Sequence, residues 1–201
     1  MSEPRIRPFE PSDTDACYEI CLRTGDNGSD ATHLYTDPRI TGEVWVAPYL
    51  VRHPECAFVL EDDAGVGGYI VGTPDTAAYD HWAETVWFPP LRDRYPQGSF
   101  ADGTADADCV NLIHTPPVMP AEIVGDYPAH LHIDLLPRLQ GRGFGKRLMN
   151  SLFAACRAAG ADAIHLGCSP ENTNAIAFYQ HLGFTDLMAG FLWGRSTEEI
   201  A

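Results

Sequence analysis

The chain has few basic residues for its size: its 201 residues include 13 Lys and Arg against 28 Asp and Glu, a formal net charge of −15 at pH 7. This excess of negative charge repels nucleic acid and anionic membrane surfaces at long range and attracts cationic partners. No run approaches the roughly 20 consecutive apolar residues that a membrane span requires. The first residues, Met-Ser-Glu-Pro-Arg, lack the basic-then-apolar order of a signal peptide. We therefore expect a soluble cytoplasmic protein that binds neither nucleic acid nor membranes.

The chain also lacks a Cys-x-x-Cys pair among its six cysteines. A chain of this size needs no disulfides to stabilise its core, so we expect reduced and mostly buried thiols. Hydrophobic residues make up 45% of the sequence and charged residues 20%. That composition excludes a disordered, collagen-like or coiled-coil protein. We expect a single domain over residues 1–201.

The pattern of apolar residues predicts alternating strands and helices. In chain order we expect a strand at Arg5–Phe9, helices at Asp13–Thr24 and Ile40–Val51, a β-hairpin at Cys56–Gly72, a strand at Ala129–Leu136, a helix at Gly143–Ala159, a strand at Ala163–Cys168, a helix at Asn174–Leu182 and two closing strands within Gly183–Arg195. Residues 73–127 show no clear period beyond two short helices. The sequence therefore predicts one α/β domain with a long insertion, 73–127, before its central strand.

A glycine-rich segment, Arg138-Leu-Gln-Gly-Arg-Gly-Phe-Gly-Lys-Arg147, lies between a predicted strand and a predicted helix. Its alternating glycines let the backbone turn tightly and direct N–H groups inward, where the helix N-terminus adds partial positive charge. Residues 135–161 contain five basic residues and no acidic one. Arg147 stands where a Walker A loop requires Ser or Thr, and Leu148 where a Rossmann fingerprint requires glycine. The segment predicts a phosphate-bearing ligand of another kind.

The predicted strand Ala129–Leu136 alternates polar and apolar residues, which places His130, His132 and Asp134 on one face. Burying three polar side chains is costly without partners or a function, so this face is expected to look into a cleft. Asp134 is then a base, a substrate-positioning carboxylate or a member of an ion pair. The two histidines and Asp134 also have the spacing of a metal site, but no further Glu or Cys cluster completes one, and we expect no metal.

Two motifs together resemble GCN5-related N-acetyltransferases, the GNAT family. Gln140-x-x-Gly143-x-Gly145 after a strand resembles that family's acetyl-CoA pyrophosphate loop, and Asn172 to Phe184, with Tyr179-x-x-x-Gly183-Phe184, looks like the helix beside the CoA arm. In the N-terminal half, Thr24-Gly-Asp-Asn-Gly-Ser-Asp30 and Gly68-Tyr-Ile-Val-Gly-Thr73 are similar to the C-terminal acetyltransferase-like domain of animal O-GlcNAc hydrolases. Those domains lack an intact phosphate loop, which is complete here. The glycoside hydrolase domain that precedes them has no room in this sequence, so no sugar cleavage is implied.

The resemblance implies an α/β GNAT fold, with a mixed central sheet of about six to seven strands and flanking helices. It implies an acyltransferase that moves an acetyl group from acetyl-CoA, its cosubstrate, to a primary amine of a small molecule or peptide. The alternative is a catalytically silent module that binds acetyl-CoA. Metal-dependent hydrolysis through the polar strand face is a third hypothesis. We expect a monomer or homodimer.

The resemblance also implies roles for individual residues. Asp134 is the expected base, and Tyr179 the expected acid that protonates the CoA thiolate. The expected cofactor contacts are Leu135, Leu136, Arg138, Gln140, Gly141, Arg142, Gly143, Phe144, Gly145, Lys146, Asn174 and Tyr179. The expected substrate contacts are Asp26, Asp30, Trp82, Trp87 and His132, with the insertion forming part of the acceptor pocket. Solvated arginines, a packed core Tyr179, a helix-start role for Asn174 and plain turn formers at 26 and 30 are the structural alternatives.

Overall fold

A mixed β-sheet organises residues 3–201, the part of the chain that our computed structural model describes. Its seven strands follow the order β1-β2-β3-β4-β5-β7-β6. They are β1 (Arg5–Pro8), β2 (Ala57–Asp62), β3 (Gly65–Thr73), β4 (Ala129–Leu135), β5 (Ala163–Gly167), β6 (Thr185–Met188) and β7 (Leu192–Ser196). Neighbouring strands are antiparallel except β4 and β5, which are parallel. The expected α/β architecture is confirmed.

Helices cover both faces of the sheet. They are α1 (Thr14–Thr24), α2 (Ile40–Trp45), α3 (Ala47–Arg52), α4 (Thr76–Trp82), α5 (Phe88–Arg94), α6 (Ala105–His114), α7 (Ala121–Asp126), α8 (Phe144–Ala158) and α9 (Thr173–His181). Within residues 3–201 we find no helix with both the length and the apolarity needed to span a bilayer.

Two helix predictions were wrong in detail. The single helix expected at Ile40–Val51 is broken at Val46, because Pro48 lacks the N–H that a continuous helix would bond to the carbonyl four residues earlier. The segment 73–127 forms three helical stretches instead of two: α4 and α5, which a π-helical turn at Ala83–Trp87 joins into one run, then α6 and α7. A π-helical turn shifts the helical period, and helices as short as α6 and α7 are marginal without packing, so the local sequence predicts this segment poorly.

The two faces of the sheet pack into separate cores. Along β3, Tyr69 and Val71 face the core formed with α1 to α6. Ile70, between them, faces the core formed with α8 and α9, as the alternation of a strand requires. On α8, Leu148 and Leu152 are fully buried and lie one helical turn apart, on the face that packs against the sheet.

The parallel strands β4 and β5 diverge, and this divergence positions the site. They pair only at Ala129 with Ile164 and His130 with His165. The Leu136 N–H donates to the Gly67 carbonyl on the β3 side at 2.8 Å. Because backbone groups alternate along a strand, the N–H groups of odd-numbered β4 residues up to Leu135 face the opening wedge.

Candidate active site

A cleft of about 1010 Å³ opens from the wedge between β4 and β5. Its walls come from three parts of the chain, residues 21–45, 131–146 and 167–182. The sequence-predicted site residues on its lining are His132, Asp134, Leu135, Gln140, Gly141, Gly143, Gly145, Lys146, Asn174 and Tyr179. The structure thus brings the glycine-rich loop, the polar face of β4 and α9 around one cavity.

The glycine-rich loop has the conformation that its sequence predicts. Gly141 and Gly143 have φ of +68° and +79°, which side chains with a Cβ rarely adopt. A Cβ built on either would meet nothing within 4 Å, so both face open space. At Gly145 a Cβ would lie 2.8 Å from the Phe178 ring, which lets α8 and α9 approach closely. The Gln140 side-chain amide donates to the Leu135 carbonyl at 2.7 Å and ties the loop to the end of β4.

The loop leads directly into α8, a helix of 15 residues. The first N–H groups of a helix have no partner inside it and carry partial positive charge, so they favour an anion. With the positive-φ glycines, they form a concave backbone surface suited to a pyrophosphate.

Several predicted cofactor residues lie away from the cleft lining. Arg138 pairs with Asp62 at 3.0 Å, and the Arg142 guanidinium lies over the Phe144 ring, 5.1 Å from its centroid. Phe144 and Leu136 are buried in the two cores. Lys146 does line the cleft, and its ammonium donates to the Ala201 carbonyl.

The Asp134 carboxylate lies on the polar face of β4, with Tyr69 of β3 directly opposite in register. The Tyr69 hydroxyl donates to Asp134 Oδ2 at 2.5 Å. Burial raises the pKa of Asp134, and the hydrogen bond from Tyr69 opposes that rise. The His132 ring is wedged edge-on against Trp45 and Tyr49, with centroids 5.4 and 5.3 Å apart. Burial lowers the pKa of His132 to about 4, so this side chain is neutral at pH 7.

The third polar residue of the strand, His130, has a different environment. Its Nε2 shares a hydrogen bond with the Tyr49 hydroxyl at 2.8 Å, and its Nδ1 shares one with the Thr76 hydroxyl, also at 2.8 Å. Both ring nitrogens are thus engaged with neighbouring helices, and His130 braces β4 against α3 and α4. Among residues 3–201 no group of three or more His, Cys, Asp or Glu is arranged to hold a metal ion.

Tyr179, near the end of α9, lines the cleft and is 8% exposed. Within the described residues 3–201, its hydroxyl forms no hydrogen bond. Burial raises the pKa of Tyr179, and the nearby Cys168 and Asp134 raise it further. The phenol therefore keeps its proton at neutral pH. Asn174 also lines the cleft. The helix-start role is taken by Asn172, whose side chain accepts from the Ala175 N–H at 3.1 Å.

Of the five expected substrate contacts, His132 lines the cleft and the other four lie outside its lining. Trp82 and Trp87 stack on each other with centroids 6.0 Å apart, and the Trp87 indole donates to the Glu43 carbonyl at 2.9 Å. Asp26 belongs to a tight backbone turn closed with Ser29. The Asp30 carboxylate accepts from the Thr32 N–H at 2.9 Å. All four residues have structural partners.

The aromatic residues that do line this end of the cleft, Tyr35 and Trp45, were missed from the sequence. Trp45 follows Thr41, another lining residue, by four positions on α2, and that spacing puts two side chains on one helix face. The helix predicted at Ile40–Val51 already implied that Thr41 and Trp45 share a face. Tyr35 lies in an irregular loop that carries no such pattern.

The insertion reaches the cleft through this loop. The Asp106 carboxylate on α6 is 1% exposed and accepts from the N–H groups of Thr36 and Asp37, at 2.9 Å each. The Tyr95 hydroxyl donates to the Asp37 carboxylate at 2.9 Å. These bonds fix the backbone next to Tyr35.

Comparison with known proteins agrees with this geometry. A family model described as the acetyltransferase (GNAT) family matches residues 119–184. Protein O-GlcNAcase of Rattus norvegicus is 25% identical over 190 residues, covering 92% of this chain and 21% of that protein. This chain thus spans about a fifth of the length of that relative.

Solved structures extend the comparison. The crystal structure of SsHAT is 40% identical, covers 98% of this chain and 100% of that one, and superposes with a TM-score of 0.91. The structure of yncA from Salmonella typhimurium, with its cofactor acetyl-CoA, is 18% identical, covers 100% of this chain and 97% of that one, and has a TM-score of 0.55. The second likeness is one of fold alone.

Proposed function

Because this chain belongs to the GNAT family of acetyltransferases, we propose that it transfers an acetyl group from acetyl-CoA to a primary amine in the cleft between β4 and β5. One observation carries the proposal: Asp134 and Tyr179 line the same cavity, beside the free edge of β4. One is a buried carboxylate that can take a proton and the other a phenol that can give one.

The cofactor end of the cleft suits coenzyme A. Gly141 and Gly143 leave an open concavity with no Cβ to fill it, and the first N–H groups of α8 add donors for a pyrophosphate. Asn174 and Lys146, which are among the polar side chains on the lining, would contact the rest of the molecule. Acetyl-CoA supplies the acetyl group, activated as a thioester.

Each residue then has one task in the transfer. Asp134 takes a proton from the incoming ammonium, which leaves the amine nitrogen with a free lone pair. The N–H group of Leu135, on the free edge of β4, holds the carbonyl oxygen as negative charge develops there. Tyr179 gives its proton to the sulfur as the carbon–nitrogen bond forms and the carbon–sulfur bond breaks. The nitrogen of the new amide then loses its second proton, which restores the Tyr179 phenol, and Asp134 releases its proton to solvent.

The acceptor end of the cleft favours an amine. Asp134 is the acidic residue on the lining, His132 beside it is uncharged, and the formal net charge of −15 attracts cations. We assign the insertion an indirect part in this pocket: it holds the loop that carries Tyr35 and supplies no lining residue itself.

The test is a panel of primary amines that includes a lysine peptide, a polyamine, an aminoglycoside and an amino sugar. Released CoA thiol and acetylated product are measured together, and we expect equal amounts of both for at least one amine. Asp134→Asn should lower the rate at pH 7, and its defect should shrink as pH rises toward the amine's own pKa, roughly 10 for a lysine-like acceptor. Binding of acetyl-CoA without acetylation of any amine would favour the silent binding module instead.

A further inference from the structure

Tyr69 has no role in the sequence-derived site, yet it touches the central carboxylate. It lies on β3 opposite Asp134, is fully buried, and its hydroxyl donates to Asp134 Oδ2 at 2.5 Å. A tyrosine at this register position reaches across the sheet face and holds one of the two carboxylate oxygens. Oδ1 is then the oxygen available to a substrate.

The surroundings of Asp134 contain little else that favours its charged form. From α1 it faces Cys21 and Thr24, along its own strand His132, and from α9 Tyr179. The nearby Thr24 hydroxyl also opposes the rise in the pKa of Asp134. Its single proton is donated to the Ile20 carbonyl at 2.8 Å, so the hydroxyl that donates to the carboxylate is that of Tyr69. Within residues 3–201 Asp134 forms no ion pair.

The titratable neighbours are also uncharged at neutral pH. Burial lowers the pKa of His132 to about 4, and burial raises the pKa of Cys21, Tyr69 and Tyr179. No cation on these neighbours therefore offsets the cost of burying the carboxylate. A protonated carboxyl cannot accept a proton from an ammonium, so a base in this position needs a hydrogen-bond donor.

We infer that Tyr69 is a positioning residue: its hydroxyl holds Asp134 Oδ2, keeps the buried carboxylate ionised and leaves Oδ1 free to take the proton of the acceptor amine. This role rests on the proposed function. Tyr69 itself touches neither substrate, because it lies behind Asp134 and is absent from the lining of the cleft.

The experiment follows the ionisation of Asp134 directly. Protein with aspartate isotope-labelled at its side-chain carboxyl is titrated by NMR, and the Asp134 resonance is assigned by its loss in Asp134→Asn. A hydrogen bond favours the charged form, so removing it in Tyr69→Phe should move the Asp134 midpoint to higher pH, by about one to two pH units. Once an amine that the protein acetylates is known, the pH at which kcat/KM falls on the acid side of its profile should also be higher in Tyr69→Phe.

Tyr18→Phe is the matched control. Tyr18 is also buried, at 7% exposure, but its ring packs under Arg39, 4.2 Å from the guanidinium carbon, away from Asp134. The same loss of a hydroxyl should leave the Asp134 midpoint in place. The affinity of both variants for acetyl-CoA, measured by calorimetry, should be unchanged. An unchanged affinity indicates that the cleft is intact.

An Asp134 midpoint that stays in place or falls in folded Tyr69→Phe overturns the inference. If Tyr69→Phe does not fold, a ring-fluorinated tyrosine at position 69 gives the opposite test. Its hydroxyl is a stronger donor and should lower the midpoint, and an unchanged midpoint again overturns the inference. If the Asp134 midpoint shifts as expected but the protein acetylates no amine, the proposed function is wrong. The hydrogen bond from Tyr69 would then still keep Asp134 ionised, but without a role in catalysis.

Discussion

Replacing Gly143 with alanine tests whether the glycine-rich loop binds a pyrophosphate. Gly143 precedes α8 with φ +79° and ψ −1°, and a Cβ there would meet nothing within 4 Å. The free protein therefore suffers no clash, and the cost to folding is that of the left-handed backbone alone, roughly 1–2 kcal/mol. The variant should fold and should unfold at a somewhat lower denaturant concentration.

We expect Gly143→Ala also to lower the affinity for acetyl-CoA, for a reason independent of its effect on stability. The added methyl group would project into the concavity where a pyrophosphate approaches the backbone, and would displace one or more charge-assisted hydrogen bonds worth about 1.5–3 kcal/mol each. Since about 1.4 kcal/mol corresponds to a factor of ten in Kd, we expect affinity to fall by roughly tenfold to a hundredfold. Calorimetry on the folded variant measures it.

Gly160→Ala is the matched control. Gly160 follows the C-terminal end of α8 with φ +90°, and a Cβ there also meets open space. The backbone cost should be similar, but acetyl-CoA affinity should equal that of the unmodified protein. If Gly143→Ala keeps full affinity, or if Gly160→Ala loses as much, the loop is not the pyrophosphate site.

Three further predictions address the remaining parts of the cleft. Tyr179→Phe should lower kcat by about a hundredfold and leave acetyl-CoA affinity intact, because a general acid acts only as the thiolate leaves; a kcat within severalfold of the unmodified protein would contradict this role. Asp106→Asn should raise the KM for the amine severalfold without changing acetyl-CoA affinity, whereas Asp108→Asn, at an exposed site on the same helix, should change neither. Cys168, the partly exposed cysteine among residues 3–201, lines the cleft, so acetyl-CoA should slow its alkylation; an unchanged rate would place the cofactor elsewhere.

The parts of the site that the sequence predicts are those encoded locally. Alternating glycines with basic neighbours predict a tight, anion-binding turn before α8, and two of these glycines have positive φ. The period of two along β4 predicts that His132 and Asp134 share a face, and both line the cleft. These features depend on residues within a few positions of one another.

The parts that the sequence does not predict depend on distant partners. Tyr69 meets Asp134 only because β3 and β4 pair in one particular register, which no local pattern fixes. Asp106 holds a loop about 70 residues earlier in the chain. Arg138 carries the charge expected of a phosphate ligand, but its partner is Asp62 on β2, which the sequence does not reveal.

A crystal structure of the protein with acetyl-CoA would show directly whether the cleft between β4 and β5 is the acetyl-transfer site. We predict that the pantetheine arm lies between the diverging strands β4 and β5, with the pyrophosphate on the backbone N–H groups of residues 141–146. The thioester should lie between Asp134 and Tyr179, its carbonyl oxygen within hydrogen-bond distance of the Leu135 N–H. Coenzyme A bound outside this wedge, or a thioester out of reach of both side chains, would show that acetyl transfer does not take place at Asp134 and Tyr179.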